Sequence, residues 1–155
     1  MNLDIISILK ADEGYSLKVY LCTKGFKTVG TGHNLDANPA LSILKRPLKL
    51  GDYITPLQAE ALFKSDLQNV YHSLDKYIPL WKTFKSNYQI ICINMAFQMG
   101  AVGLTKFKKM LAAMATDNSK GVITSICNSL YYKQTTNRAR RMIQLAQGVI
   151  PKEYQ

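Results

Sequence analysis

Three reactive side chains stand close together near the start of the chain. Glu13, Cys22 and Thr28 fall within EGYSLKVYLCTKGFKTVGTGH, residues 13–33. The other glutamates are Glu60 and Glu153. Glu13 alone sits at a helix-to-sheet junction, beside Gly14 and among Leu9, Tyr15 and Leu17. Apolar surroundings disfavour a charged carboxylate and raise its pKa. A carboxylic acid kept partly protonated near neutral pH can give its proton to a leaving group. Cys22 lies in a hairpin-like segment, where a packing cysteine would be out of place. Its thiolate would be a base and a good nucleophile. Taken singly, both have blander readings: a solvated group at a helix end, and an accident of packing.

Those residues need elements to hold them. Leu3, Ile5, Ile6, Ile8 and Leu9 recur through residues 2–12 as one face of a short amphipathic helix that ends near Gly14. From Leu17 to Gly32 the pattern turns to strands, with Thr23-Lys24-Gly25 as a turn. Gly30 and Gly32 forbid a helix and permit close backbone approach. NPALSILKR predicts a short helix from about Pro39. Thr55 reads as the N-cap of a helix of more than twenty residues, with Pro56 at its first position. Everything after Pro79 reads helical. SNYQIICINMAFQMG is nearly apolar all round and predicts a central buried helix. Further helices are expected at about 105–115, 119–129 and 136–147, each introduced by Thr, Ser or Asn. The fold class is α+β.

The chain of 155 residues is 47% hydrophobic and 19% charged, a globular composition. No apolar run approaches a membrane span. Asp4 and Lys10 interrupt the opening apolar stretch, so no secretory signal is read there and the protein is expected to be cytosolic when made. Cys22, Cys92 and Cys127 show neither zinc spacing nor an even count. The last two lie in apolar helical stretches and are expected in the core. The net charge of +10 is unevenly placed: residues 1–75 hold eight Lys/Arg and eight Asp/Glu, whereas residues 76–155 hold twelve Lys/Arg with only Asp117 and Glu153. That excess suits a polyanion; its plain alternative is a soluble surface.

The spacing of Glu13, eight residues, Cys22, five residues, Thr28, followed by GTGH, resembles the phage lysozymes (endolysins) of the T-even type, glycoside hydrolase family 24. INMAFQMG at 93–100, AEALFKSDL at 59–67 and YYKQTTNRARR at 131–141 resemble family segments in order and at similar intervals. The likeness extends to about residue 148. It implies a single lysozyme domain over 1–155: a small sheet lobe at 14–54, a connecting helix at 55–78, and a helical lobe of 1–13 with 79–155. It also implies a cleft between the lobes.

By that resemblance Glu13 is the general acid, and Thr28 holds and orients the attacking water. The second catalytic position, an aspartate in most of the family, is Cys22. Two schemes follow: Cys22 assists a water and the anomeric centre inverts, or Cys22 attacks and configuration is retained. The presence of Thr28 favours the first. His33 and Asp66 match a structural ion pair, and Asp12 and Arg141 a second. Phe97, Gln98, Asn137 and Arg138 match positions along the sugar cleft, with Leu35 and Asn34 at the sheet edge as weaker candidates for substrate binding. Arg140 reads as a solvated cation.

The implied activity is that of an endolysin muramidase, cutting the β-1,4 bond between N-acetylmuramic acid and N-acetylglucosamine in peptidoglycan. No metal or other cofactor is implied. The expected partners are peptidoglycan and anionic cell-wall polymers, with no nucleic acid and no stable membrane insertion, and the protein is expected to be a monomer. Such an enzyme waits in the host cytoplasm until a holin permeabilises the membrane. The alternative is a catalytically impaired, basic wall-binding or membrane-disrupting protein on the same fold, with NRARRMIQLAQGVI as a cationic amphipathic helix.

Overall fold

Asp4 starts the first helix: its carboxylate accepts hydrogen bonds from the Ile6 amide at 3.2 Å and the Ser7 hydroxyl at 2.7 Å. The computed structural model describes residues 3–155. Helix α1 spans Ile5–Glu13 and buries Ile8 and Leu9. It stops at Gly14, whose φ of 74° an L-residue rarely adopts. The expectation for residue 2 lies outside the described residues.

Strands β1 (Ser16–Leu21), β2 (Lys27–Gly30) and β3 (His33–Asn34) form an antiparallel sheet in that order. Tyr20 pairs with Thr28 and Leu21 with Lys27, and an irregularity between Ser16 and Tyr20 bends β1. The outer edge of β1 is not left bare. The Val19 amide donates to the Asp52 carbonyl at 2.8 Å, and the Ile54 amide to the Leu17 carbonyl at 2.8 Å. Beneath the sheet, Val19, Val29, Leu35, Leu44, Leu48, Ile54, Ala59 and Leu62 make a small core.

Helix α2 covers only Leu41–Leu44. It starts later than Pro39 because Ala40 is left-handed, at φ 50°. Helix α3 runs Pro56–Tyr77, 22 residues. Its start is a reciprocal cap: the Gln58 amide donates to Thr55 Oγ1 at 3.1 Å, and the Thr55 amide to Gln58 Oε1 at 2.9 Å.

The chain divides into two compact units, one of Leu9–Asn69 and one of the described residues up to Ile8 with Val70–Gln155. In the second, α4 (Ser86–Met99) is the buried axis, with Tyr88 and every residue from Ile90 to Ala96 inside. Around it lie α5 (Ala101–Leu104), α6 (Lys108–Ala115), α7 (Ser119–Cys127), α8 (Leu130–Gln134) and α9 (Thr136–Ala146). Short 3₁₀ turns occupy Trp81–Thr83 and Lys152–Tyr154. Among the described residues no helix is long and apolar enough to cross a membrane.

Three local expectations need correction. The helix expected from about 105 begins at Lys108, because the Thr105 hydroxyl donates to the Val102 carbonyl and closes α5 instead. Helices α5 and α8 were hidden inside longer apolar patterns. Of the two cysteines expected in the core, Cys92 is buried, beside Met114 Sδ at 3.7 Å, and its thiol is pushed up to about 12 by burial. Cys127 is exposed: it ends α7 off the face that buries Val122 and Ile126.

His33 ties the sheet to α3. Its ring is buried, with Nδ1 2.7 Å from Asp66 Oδ2 and Nε2 2.8 Å from the Asn38 carbonyl. Two acceptors require two N–H donors, which only the imidazolium supplies. Burial works against that charge, but the Asp66 hydrogen bond, the Asp66 charge and the Asn38 carbonyl together hold the His33 pKa above its usual value. Because the folded pKa is the higher one, the stability is full below the unfolded pKa and fades as pH rises through the folded one. An NMR titration should place the His33 midpoint above 6.5. Asp66→Asn should cost about 3 kcal/mol in urea unfolding below that midpoint, and less at alkaline pH; a loss independent of pH would refute the charged pair.

Candidate active site

The last residue of α1 is Glu13, and it turns back toward the sheet. A β-carbon built on Gly32 would stand 2.7 Å from Glu13 Oε2 and 3.2 Å from its carboxyl carbon. Gly32 also has φ 70°. Only glycine therefore lets the β2–β3 turn close on this carboxyl without strain or collision. Glu13 is half-buried there.

Cys22 follows β1 at the hairpin. Its amide donates to the Phe26 carbonyl at 2.9 Å, and its carbonyl accepts from the Gly25 amide at 2.8 Å. The Phe26 amide has the largest effect in holding the Cys22 thiol below its ordinary pKa; the Lys24 and Gly25 amides and the Thr28 hydroxyl add to it, against a smaller burial penalty. Converging backbone N–H groups make an anion-binding concavity. The half-buried sulfur remains reachable from solvent.

Thr28 is buried on β2, opposite Tyr20. Its hydroxyl donates to the Phe26 carbonyl at 2.9 Å and is among the groups that hold the Cys22 thiol below its ordinary pKa.

Sequence reasoning missed Tyr20. Its phenol pKa is raised by burial first, then by the negative charges of Cys22 and Glu13. One ring therefore senses both reactive groups. The signal was available: Tyr20 and Cys22 are two apart on an extended segment, and so on one face.

The other predicted residues fall as follows. Asn34, half-buried on β3, uses its side-chain carbonyl on the Asp36 and Ala37 amides at 2.9 and 3.0 Å. Leu35, expected at the sugar cleft, is 5% exposed and packs in the small core. Asp12 is half-buried near the end of α1, and Arg141 is half-buried on α9. Phe97 and Gln98 are half-buried in the last turn of α4. Gln98 Oε1 is buried and has no hydrogen-bond partner among the described residues. On α9, Asn137 and Arg140 are exposed.

Arg138 is 7% exposed, and its Nε donates to Asn94 Oδ1 at 2.8 Å and its Nη2 to the Asn94 carbonyl at 3.3 Å. Asn94 is fully buried and was also missed. Its signal was a lone amide inside the apolar run IICINMAF. Together they join α4 to α9 through a hydrogen-bonded cation, which burial would otherwise penalise heavily. Among the described residues no three His, Cys, Asp or Glu side chains cluster as metal ligands.

Residues 10–142 match the family model described as Phage lysozyme. The chain is 32% identical over 155 residues to the pre-baseplate central spike protein Gp5 of Enterobacteria phage T4, covering 91% of this chain and 27% of that one. It is 32% identical to a probable T4-type lysozyme 2 of Dictyostelium discoideum, covering 95% of each. An endolysin of Acyrthosiphon pisum secondary endosymbiont phage 1 is 33% identical over 98 residues, 63% of this chain and 58% of that one. The chain thus spans about a quarter of the spike protein but nearly the whole of the Dictyostelium relative. The match runs from the helix that carries Glu13 to the one that carries Arg138, and the protein belongs to the phage lysozyme family.

Proposed function

We propose that this protein is a muramidase that hydrolyses the β-1,4 bond between N-acetylmuramic acid and N-acetylglucosamine in peptidoglycan, with Glu13 as general acid. The observation that carries this reading is the seat of Glu13 against Gly32, in the turn that follows β2, on the sheet whose β1–β2 hairpin presents Cys22 and Thr28. The leaving oxygen takes its proton from Glu13. The opposite face of the oxocarbenium-like sugar needs a base or a nucleophile.

Cys22 fills that second role as a thiolate. A neutral thiol would accept a proton poorly, but the amides of its own turn favour the anion. The Thr28 hydroxyl orients the attacking water, and Cys22 takes its proton; the product is the inverted anomer. If Cys22 instead attacked the anomeric carbon, a thioglycoside would form and a second displacement would restore configuration. The role of Thr28 supports inversion.

Sugar contacts fall to Phe97, whose ring suits a sugar face, and to Gln98. The buried, unpartnered Gln98 carbonyl suits the N–H of an acetamido group. Asn137 completes this set, while Arg138, held on Asn94, supplies a positive field. Leu35 shapes the small core from below rather than touching sugar. In the cell the enzyme would be stored in the host cytoplasm and reach the wall once a holin opens the membrane.

Purified peptidoglycan, followed by new reducing ends, tests the assignment. Glu13→Gln should lower kcat by at least about 10³-fold with the fold intact, whereas unchanged bacterial killing would favour a non-enzymatic wall disruptor. Cys22→Ala should lose activity comparably, and NMR of the first product should show the inverted anomer. Iodoacetamide should alkylate folded Cys22 with a pH midpoint below that of the unfolded chain, and the rise of activity with pH should share that midpoint. Gly32→Ala should cost about 1–2 kcal/mol of stability but about 10²-fold in kcat, because the new methyl group displaces the carboxyl; full activity would mean that the Glu13 position is unimportant.

A further inference from the structure

Catalysis leaves the charge asymmetry unexplained. The second unit holds most of the cations, and two of its few acids are already engaged. Asp75 accepts from the Trp81 indole at 2.8 Å and pairs with Lys82 at 3.0 Å. Asp117 pairs with Lys85 and accepts from the Tyr88 hydroxyl at 3.1 Å. Both carboxylates are held below their usual pKa by these partners.

Helices α6 and α7 pack closely because of Gly121. A β-carbon there would meet Ala113 Cβ at 2.9 Å. Along their seam runs an open groove of about 730 Å³. Its floor is Ala112, Ala113 and Gly121. Lys109 lies three residues before Ala112 on α6, and the exposed Thr116 four residues after it at the end of that helix; on α7, Lys120 and Thr124 are four apart on one face. Neither Lys109 nor Lys120 makes an ion pair among the described residues. The one acid at this corner, Asp117, is turned to Lys85.

We propose that the α6–α7 groove is a docking site for a linear anionic wall polymer of phosphodiester type, with Lys109 and Lys120 as its two cationic walls. The groove is open rather than cupped, as a chain molecule requires. Ammonium groups take phosphate oxygens as point charges, and the threonine hydroxyls can donate to the same oxygens. The choice of a wall polymer over other polyanions rests on the muramidase reading above. The site is built from elements that carry none of the catalytic residues, so it would hold the enzyme on its substrate between cuts.

Binding should be measured apart from turnover, on the full chain carrying Glu13→Gln. Soluble poly(glycerol phosphate) is titrated at low salt and followed by amide NMR shifts. Shifts should centre on residues 109–124. The double variant Lys109→Glu, Lys120→Glu should weaken binding at least about tenfold. The charge-matched control Lys49→Glu, Lys64→Glu should change it little. In the active background, hydrolysis of polymer-free peptidoglycan should be unaffected by the groove variant. Equal losses in the two double variants would show a diffuse charge effect and overturn the site. So would equal or tighter binding of a DNA oligonucleotide of matched charge. Failure of the muramidase assay alone, with groove binding intact, would overturn the activity and leave the groove.

Discussion

The space above Gly32 is the constraint on which the site depends. The Glu13 carboxyl occupies the volume that any other residue at 32 would claim for its side chain. Position 33 then anchors the same turn from below, through an imidazole clamped between Asp66 and the Asn38 carbonyl. A left-handed glycine followed at once by a buried, doubly bonded histidine leaves the turn little freedom. The acid is thereby placed by backbone and charge rather than by a loop that must close over substrate.

The opposite wall solves a different problem. A carboxylate is ionised near neutral pH without help, whereas a free thiol is mostly protonated. Substituting sulfur for oxygen therefore transfers a task from the side chain to its surroundings. The hairpin performs it with amides that any residue sequence would supply, provided the turn closes at this length. Thr28 adds a hydroxyl that favours the anion. Tyr20 prefers to stay neutral.

The sequence made the large features readable wherever one physical signal dominated. The Thr55-Pro56 start, the helix that followed it, and the apolar axis at 86–99 are cases of capping and burial that no tertiary contact opposes. Short elements were not readable. Whether Thr105 opens α6 or closes α5 depends on which carbonyl its hydroxyl finds, and both readings share one local pattern. Cys127 shows the same limit at a helix end, where one residue decides between core and solvent. At the site, spacing and resemblance pointed to Glu13, Cys22 and Thr28, but not to the groups that tune them. Backbone amides carry no sequence signature, and Tyr20 and Asn94 matter through neighbours distant in the chain. Leu35 illustrates the converse: position by resemblance does not say which way a side chain turns.

The helical unit is discontinuous, combining residues up to Ile8 with a segment that begins at Val70. A ribosome makes those two parts in order, with the whole sheet between them. The small unit can close as soon as it has emerged, but the first turn of α1 must wait for partners that are synthesised last. Such long-range closure slows folding and leaves apolar residues uncovered meanwhile. Birth order thus leaves the first turn of α1 waiting longest for its partners.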